Sequence, residues 1–214
     1  MGKKKKKDAK KSGKKEAHAV PVRKKLKIDP GKPAKVLSSR VAYDGKLFRV
    51  MAEEIREGNG KEAMREVVRH GGSTVILAVD GRKSRKNPLV LIERQYRHAA
   101  QQYLYEIPAG KLEANEDRLA GAKRELQEET GYTAKKWSKL AKYYPSPGFL
   151  GEWMQVFLAE GLTPGKTSPD DDEWLELQMV PLKEVLRVID AGKMQDGKTI
   201  IAVLSYARRL GKRG

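Results

Sequence analysis

Seven residues between Gly110 and Gly131 combine chemistry with fixed spacing: Gly110, Glu116, Arg124, Glu125, Glu128, Glu129 and Gly131, in the order Gly-x5-Glu-x7-Arg-Glu-x2-Glu-Glu-x-Gly. Chance production of seven specified residues is on the order of 10⁻⁹ per window. If residues 116 to 130 are helical, each residue advances about 100°, so Glu125 and Glu129 share one side and Glu128 sits next round. Like charges so close repel by about 0.2–0.5 kcal/mol per pair. A hard cation relieves that repulsion: Mg²⁺ or Mn²⁺ takes one or two carboxylates and completes its shell with water and phosphate oxygens. A bare Glu-Leu-x-Glu-Glu fragment would read as a solvated acidic face. The specified positions around it favour the metal site and a phosphate-bearing substrate.

These carboxylates need a scaffold. Asn115 is a plausible N-cap for the 116–130 helix, Glu116 and Asp117 place acid in its first turn, and Gly131 is a C′ stop. Leu119, Ala122, Leu126 and Thr130 form a narrow inward face. Upstream, Thr74 to Val79 and Leu89 to Tyr96 are nearly continuous apolar runs, as in a sheet buried on both faces, and Tyr103 to Ile107 adds a third strand. Further strands are expected at Lys139 to Tyr144, Met154 to Ala159 and Trp174 to Val180. A helix opens at Pro181 and a last one runs from Thr199 to Leu210. Helices and strands mixed around a central sheet predict an α/β fold, an α/β/α sandwich.

Ahead of this domain, Val36 to Tyr43, Lys46 to Glu54 and Glu62 to His70 alternate as three short strands. Asp44-Gly45 and Gly58-Asn59-Gly60 supply the reversals of a small antiparallel accessory region. The chain of 214 residues thus divides into a tail (1–35), an accessory region (36–70) and a main domain (71–214). The net charge of +17 is concentrated in the tail, where fourteen Lys and one Arg face three acids. Almost without large apolar residues, the tail cannot offset its ordering entropy and is expected to be disordered. It can contact nucleic acid weakly through phosphates, or simply act as a solvated extension, since no aromatic is interleaved for base stacking.

There is no cysteine, which excludes disulfides, thiolate catalysis and Cys-based zinc sites. No apolar run approaches a membrane span, and the basic start lacks the apolar core of a secretory signal. A soluble cytoplasmic protein without membrane insertion is the expectation. His18, His70 and His98 lack metal-ligand spacing, and Ser146 lies between prolines without a nucleophile-elbow pattern.

The stretch Gly110 to Tyr132 resembles the signature of the Nudix hydrolases, which cleave a nucleoside diphosphate linked to another moiety. The resemblance implies that Glu125, Glu128, Glu129 and the Ala109 carbonyl hold divalent metal. Arg124 would orient a helix glutamate, Gly110 would let the backbone pass the metal, and Glu116 would tie the loop to the helix. Tyr132 departs mildly from the aliphatic residue usual at the last position.

The flanks Glu93-Arg94-Gln95-Tyr96-Arg97, Glu106-Ile107-Pro108-Ala109-Gly110 and Tyr144-Pro145-Ser146-Pro147-Gly148-Phe149 resemble the ADP-ribose pyrophosphatase branch, as does Gly192 to Thr199. That branch implies Mg²⁺-dependent hydrolysis of ADP-ribose to AMP and ribose 5-phosphate, with ADP-glucose or GDP-mannose as alternative nucleoside diphosphate sugars. A non-catalytic RNA-associated module is the reading from another class. Arg97, Glu106 and Pro147 fall in the implied substrate-binding set. Arg69, beside Arg65, would reach a partner's site in a homodimer built through the accessory sheet, although a structural ion pair serves equally there. Glu173 is the expected loop base, with Asp171 and Asp172 as neighbours that could replace it. Tyr43, Phe48, Tyr144 and Phe149 are candidates for an adenine shelf, or core residues.

Overall fold

The computed structural model describes residues 24–167 and 174–212; the greater part of the lysine tail and the whole Pro169-to-Glu173 acidic loop lie outside them. Residues 24–33 are exposed and without regular structure. From Ala34 onward the chain builds two sheets. Strands β1 (Lys35–Asp44), β2 (Arg49–Arg56) and β3 (Glu62–Arg69) form an antiparallel three-stranded sheet in the order β1-β2-β3.

The second sheet is mixed and positions the site. It contains β4 (Ser73–Asp80), β5 (Leu89–Arg97), β6 (Gln102–Glu106), β7 (Ala109–Lys111), β8 (Thr133–Tyr143), β9 (Met154–Thr163) and β10 (Glu176–Pro181). Its main path is β10-β5-β4-β9-β8, with β6 on β5 and β7 on β4; β4 and β9 run parallel and every other pairing is antiparallel. Central β4 is buried for almost its whole length. Side chains alternate across a strand, so Val75, Leu77 and Val79 enter one core while Ile76 and Ala78 enter another.

Helices cover both faces. Leu182 and Val185 of α2 (Leu182–Asp190) and Ala202, Val203 and Tyr206 of α3 (Gly197–Gly211) close the first core. Ala122 and Leu126 of α1 (Arg118–Thr130) close the second. Each fully buried Leu or Val of this kind contributes about 1.5–3 kcal/mol. The result is the expected α/β/α sandwich. No helix among the described residues is long and apolar enough to cross a membrane.

Local details depart from the sequence expectation for identifiable reasons. The N-cap of α1 is Asp117, whose Oδ1 accepts hydrogen bonds from the Leu119 and Ala120 amides at 3.0 and 3.1 Å. Asn115 instead takes a left-handed turn position (φ 64°), which asparagine tolerates well. Gly131 ends the helix at φ 72°, its N–H donating to Gln127 O, as expected of a C′ glycine. Strand β8 begins six residues before the expected Lys139, at Thr133. It is an edge strand studded with Lys135, Lys136, Lys139 and Lys142, a common protection against edge pairing that blurs alternation. The accessory sheet is tied to the loop before β9: Phe149 O accepts from the Val68 amide (2.8 Å) and Val68 O accepts from the Gly151 amide (2.9 Å).

Candidate active site

Strand β7 carries Gly110 beside the carboxylate helix. Its three residues are too few to show alternation in the sequence. Its register, Thr74 opposite Gly110 and Val75 opposite Ala109, lays the loop backbone along the central strand. The Glu125 carboxyl of α1 sits where a side chain on Gly110 would be: a Cβ there would lie 1.8 Å from Glu125 Cδ and 2.0 and 2.2 Å from its oxygens. Glycine is therefore required by space, since its φ lies outside the left-handed region. Glu125 is consequently pressed against the Ala109-Gly110 backbone.

Arg124 organises the remaining acids. Its Nε and Nη2 donate to the two oxygens of Glu116 at 2.9 and 3.0 Å, a paired geometry suited to guanidinium. Its Nη1 donates to Glu128 at 2.9 Å and lies 2.9 Å from Glu125, and Nη2 reaches the Lys111 carbonyl at 3.2 Å. Glu116 also accepts from the Glu113 amide at 3.0 Å. One guanidinium thus joins the loop, the helix start and two glutamates. The hydrogen bond from Arg124 holds the Glu116 carboxyl below its ordinary pKa, and the same bond raises that of Arg124. Glu129, the third acid, is buried on α1.

A second set of charges faces this loop from β5, β6 and α3. Arg97 Nε and Nη2 each donate at 2.8 Å to one oxygen of Glu106, which is buried. Lys198, also buried, donates to the same carboxylate and lies 3.2 Å from Asp196 Oδ1. Burial alone would raise the Glu106 pKa, but the bonds from Arg97 and Lys198 more than offset it and leave the group below its ordinary value. Arg97 is raised, first by its bond to Glu106 and then, against desolvation, by the charges of Glu106, Glu93 and Glu129.

Beside the second set lies a cavity of about 200 Å³ whose walls include Arg97, Ala109, Gly110, Glu152, Ser73 and Lys198, with Gly110 the member of the Gly110-to-Gly131 pattern that reaches it. Glu152 accepts from Ser73 Oγ at 2.5 Å and stands 3.7 Å from His70 Nδ1. A larger hollow of about 550 Å³, lined by residues including Trp137, Lys139, Phe157 and Arg118, takes in only Glu116 of the Gly110-to-Gly131 pattern. The smaller cavity is the one that brings Arg97, Lys198 and Glu152 beside the Ala109-Gly110 backbone, which makes it the candidate site.

Other expected residues lie apart. Arg69 is engaged with Glu53 (2.6 and 2.8 Å) and Arg65 with Glu57 (2.6 Å), both within the accessory sheet. Pro147 is exposed in the turn between β8 and β9, and Tyr43, Tyr144 and Phe149 are also exposed. Glu173, Asp171 and Asp172 fall outside the described residues. Lys198, Glu152 and Ser73 join the cavity wall without a motif that singles them out in the sequence. For Lys198 the available signal was its place just behind Asp196, an N-cap residue opening a helix.

The family model of the NUDIX domain matches residues 69–202. The chain belongs to the NUDIX family. This NUDIX chain is 37% identical over 171 residues to an ADP-ribose pyrophosphatase of Bacillus subtilis (strain 168), covering 79% of this chain and 90% of the relative. It is 34% identical over 171 residues to a methanol dehydrogenase activator of Bacillus methanolicus, covering 79% and 90%. Among solved structures, that of an ADP compounds hydrolase superposes with a TM-score of 0.72 at 20% identity, covering 86% of this chain and 97% of the other, a likeness of fold.

NUDIX hydrolases use a divalent metal, and the residues here fit one. The donors are hard oxygens, and the space left by Gly110 brings the Glu125 carboxyl against backbone that carries the Ala109 carbonyl. Among the described residues no three acidic or histidine side chains come together in a group that could hold a metal ion by themselves. A cation that retains waters and phosphate ligands does not need one.

Proposed function

We propose that this NUDIX protein hydrolyses the diphosphate of ADP-ribose, giving AMP and ribose 5-phosphate. The observation that carries the reading is a single cavity in which Arg97 faces the Ala109-Gly110 backbone against which Glu125 is packed. The identity to an ADP-ribose pyrophosphatase supports the choice of substrate. In this reading Glu125, Glu128, Glu129 and the Ala109 carbonyl would hold Mg²⁺, or Mn²⁺ in its place, and the cation would supply charge neutralisation for the diphosphate and a more acidic water. Arg124 keeps Glu125 and Glu128 in place, and Arg97 turns its unused N–H groups to phosphate oxygens. Water oxygen attacks one phosphorus, the bond to the bridging oxygen breaks, and two phosphomonoesters leave. Glu173, in the acidic loop, is proposed as the group that takes the water's proton. Glu106 supports Arg97 from below, while Pro147 shapes the substrate-facing turn.

A homodimer belongs to the same reading. The accessory sheet exposes Val41, Tyr43, Leu47, Phe48 and Met64, apolar surface of the kind an interface buries. In such a dimer Arg69 would face the partner's site. The division into tail, accessory region and main domain is retained, with weak phosphate contact assigned to the tail. A cysteine-free chain suits a reducing compartment, and cytoplasmic residence is proposed.

The test is AMP release from ADP-ribose, ADP-glucose and GDP-mannose with Mg²⁺, with Mn²⁺ and after chelation, using Glu125→Gln as control. Metal-dependent preference for ADP-ribose, lost in the control, is expected. Preference for another sugar would move the substrate assignment, and full activity of Glu125→Gln would remove the metal-site assignment.

A further inference from the structure

Lys198 lies outside the Gly110-to-Gly131 pattern, yet it is one of two cations, with Arg97, that meet at the buried Glu106. The N-terminus of α3 reaches the site twice. Asp196 caps the helix by accepting from the Thr199 amide (2.9 Å) and hydroxyl (2.5 Å), and Thr199 Oγ1 in turn accepts from the Ile107 amide at 2.9 Å. Lys198, between them in sequence, donates to Glu106, the preceding residue of the same strand end. Both contacts act immediately upstream of Ala109 and Gly110.

The charges explain why a lysine is needed there. Arg97 and Glu106 alone make a neutral pair, and Lys198 brings a second cation to that buried carboxylate. An arginine has five N–H groups, and Arg97 spends the Nε and Nη2 edge on Glu106. Lys198 donates to the same carboxylate, so two cations share one buried anion, and both form part of the cavity wall.

We propose that Lys198 is a positioning residue: by sharing the Glu106 carboxylate with Arg97, it sets the guanidinium against which the substrate's diphosphate lies. This rests on the ADP-ribose reading given above. Lys198 does its work through Arg97, so its effect depends on Arg97 being present. A lysine that merely stabilised the fold would matter equally in either background.

The test is a double-mutant cycle in the full-length protein with Lys198→Met, Arg97→Ala and the pair, measuring kcat and KM for ADP-ribose at saturating Mg²⁺, with thermal unfolding of each variant. Lys198→Met is expected to raise KM about 10-fold while kcat changes less than about 3-fold, and to raise KM less than about 2-fold further once Arg97 is gone. Equal effects in both backgrounds, or no effect in the first, would overturn the proposal. Should Lys198→Met unfold below the assay temperature, Lys198→Gln, which keeps a donor to Glu106 without the charge, is run through the same cycle with about a 3-fold KM rise expected. Wild-type silence on ADP-ribose would count against the substrate alone; the cycle then uses whichever nucleoside diphosphate sugar the wild type cleaves.

Discussion

Gly110→Ala isolates the relation between loop and helix better than removal of any glutamate. The new methyl would lie 1.8 Å from Glu125 Cδ, against an ordinary contact of 3.4 Å or more. The carboxyl must therefore withdraw by about 1.5 Å. Only the end of a flexible side chain has to move, and the Gly110 backbone suits alanine, so the stability cost should be about 1 kcal/mol. For a chain of this length that lowers Tm by about 2–4 °C. Catalysis should suffer far more, because a displacement of about 1 Å in a reacting constellation can cost about 10²-fold. The assay is kcat/KM for metal-dependent AMP release, paired with circular-dichroism melting. A variant that melts within about 5 °C of wild type yet loses about 10²-fold activity supports the placement of Glu125. Retention of more than about a third of wild-type activity would refute it.

Three further outcomes follow from the same structure. Asp117→Ala should cost about 1 kcal/mol by removing the α1 cap, measurable by urea unfolding; an unchanged midpoint would restore the cap to Asn115. Gly131→Ala places a Cβ 2.8 Å from the Gly165 carbonyl at a φ of 72°, so a loss of at least about 1 kcal/mol is expected in the same experiment. Glu106 has a folded pKa below its ordinary 4.5, so its contribution to stability is complete above about pH 4.5 and is lost as pH falls through the lowered value. The Tm gap between wild type and Glu106→Gln should accordingly be widest near pH 7 and narrow below pH 4.5; a constant gap would contradict the charge pairing.

Much of the scaffold was legible because periodicity and punctuation agreed. The two-sided burial of β4 and β5 was written in their apolar runs, and Gly131 announced the end of α1. The glutamates were legible because their order and spacing form a pattern that survives without coordinates. What escaped depended on partners distant in sequence. Nothing near Lys198 says that Glu106, 92 residues earlier, lies across from it. Likewise Glu152 gains its place in the cavity wall from Ser73, 79 residues away. The cap of α1 was misplaced by two residues because Asn115 and Asp117 are chemically equivalent signals, and only the turn at Glu113 to Glu116 chooses between them.

The contact of α3 with the strand that precedes Gly110 has a consequence for the order in which the protein matures. During synthesis every residue from Gly110 to Gly131 emerges, and can coil into its helix, before Asp196, Lys198 and Thr199 exist. Until they arrive, Glu106 lacks its buried lysine and the Ile107 amide lacks its acceptor. Long-range closures of this kind are slow steps in folding. A nascent chain therefore carries Glu125, Glu128 and Glu129 well before the contacts of α3 can complete the wall that Arg97, Glu106 and Lys198 build.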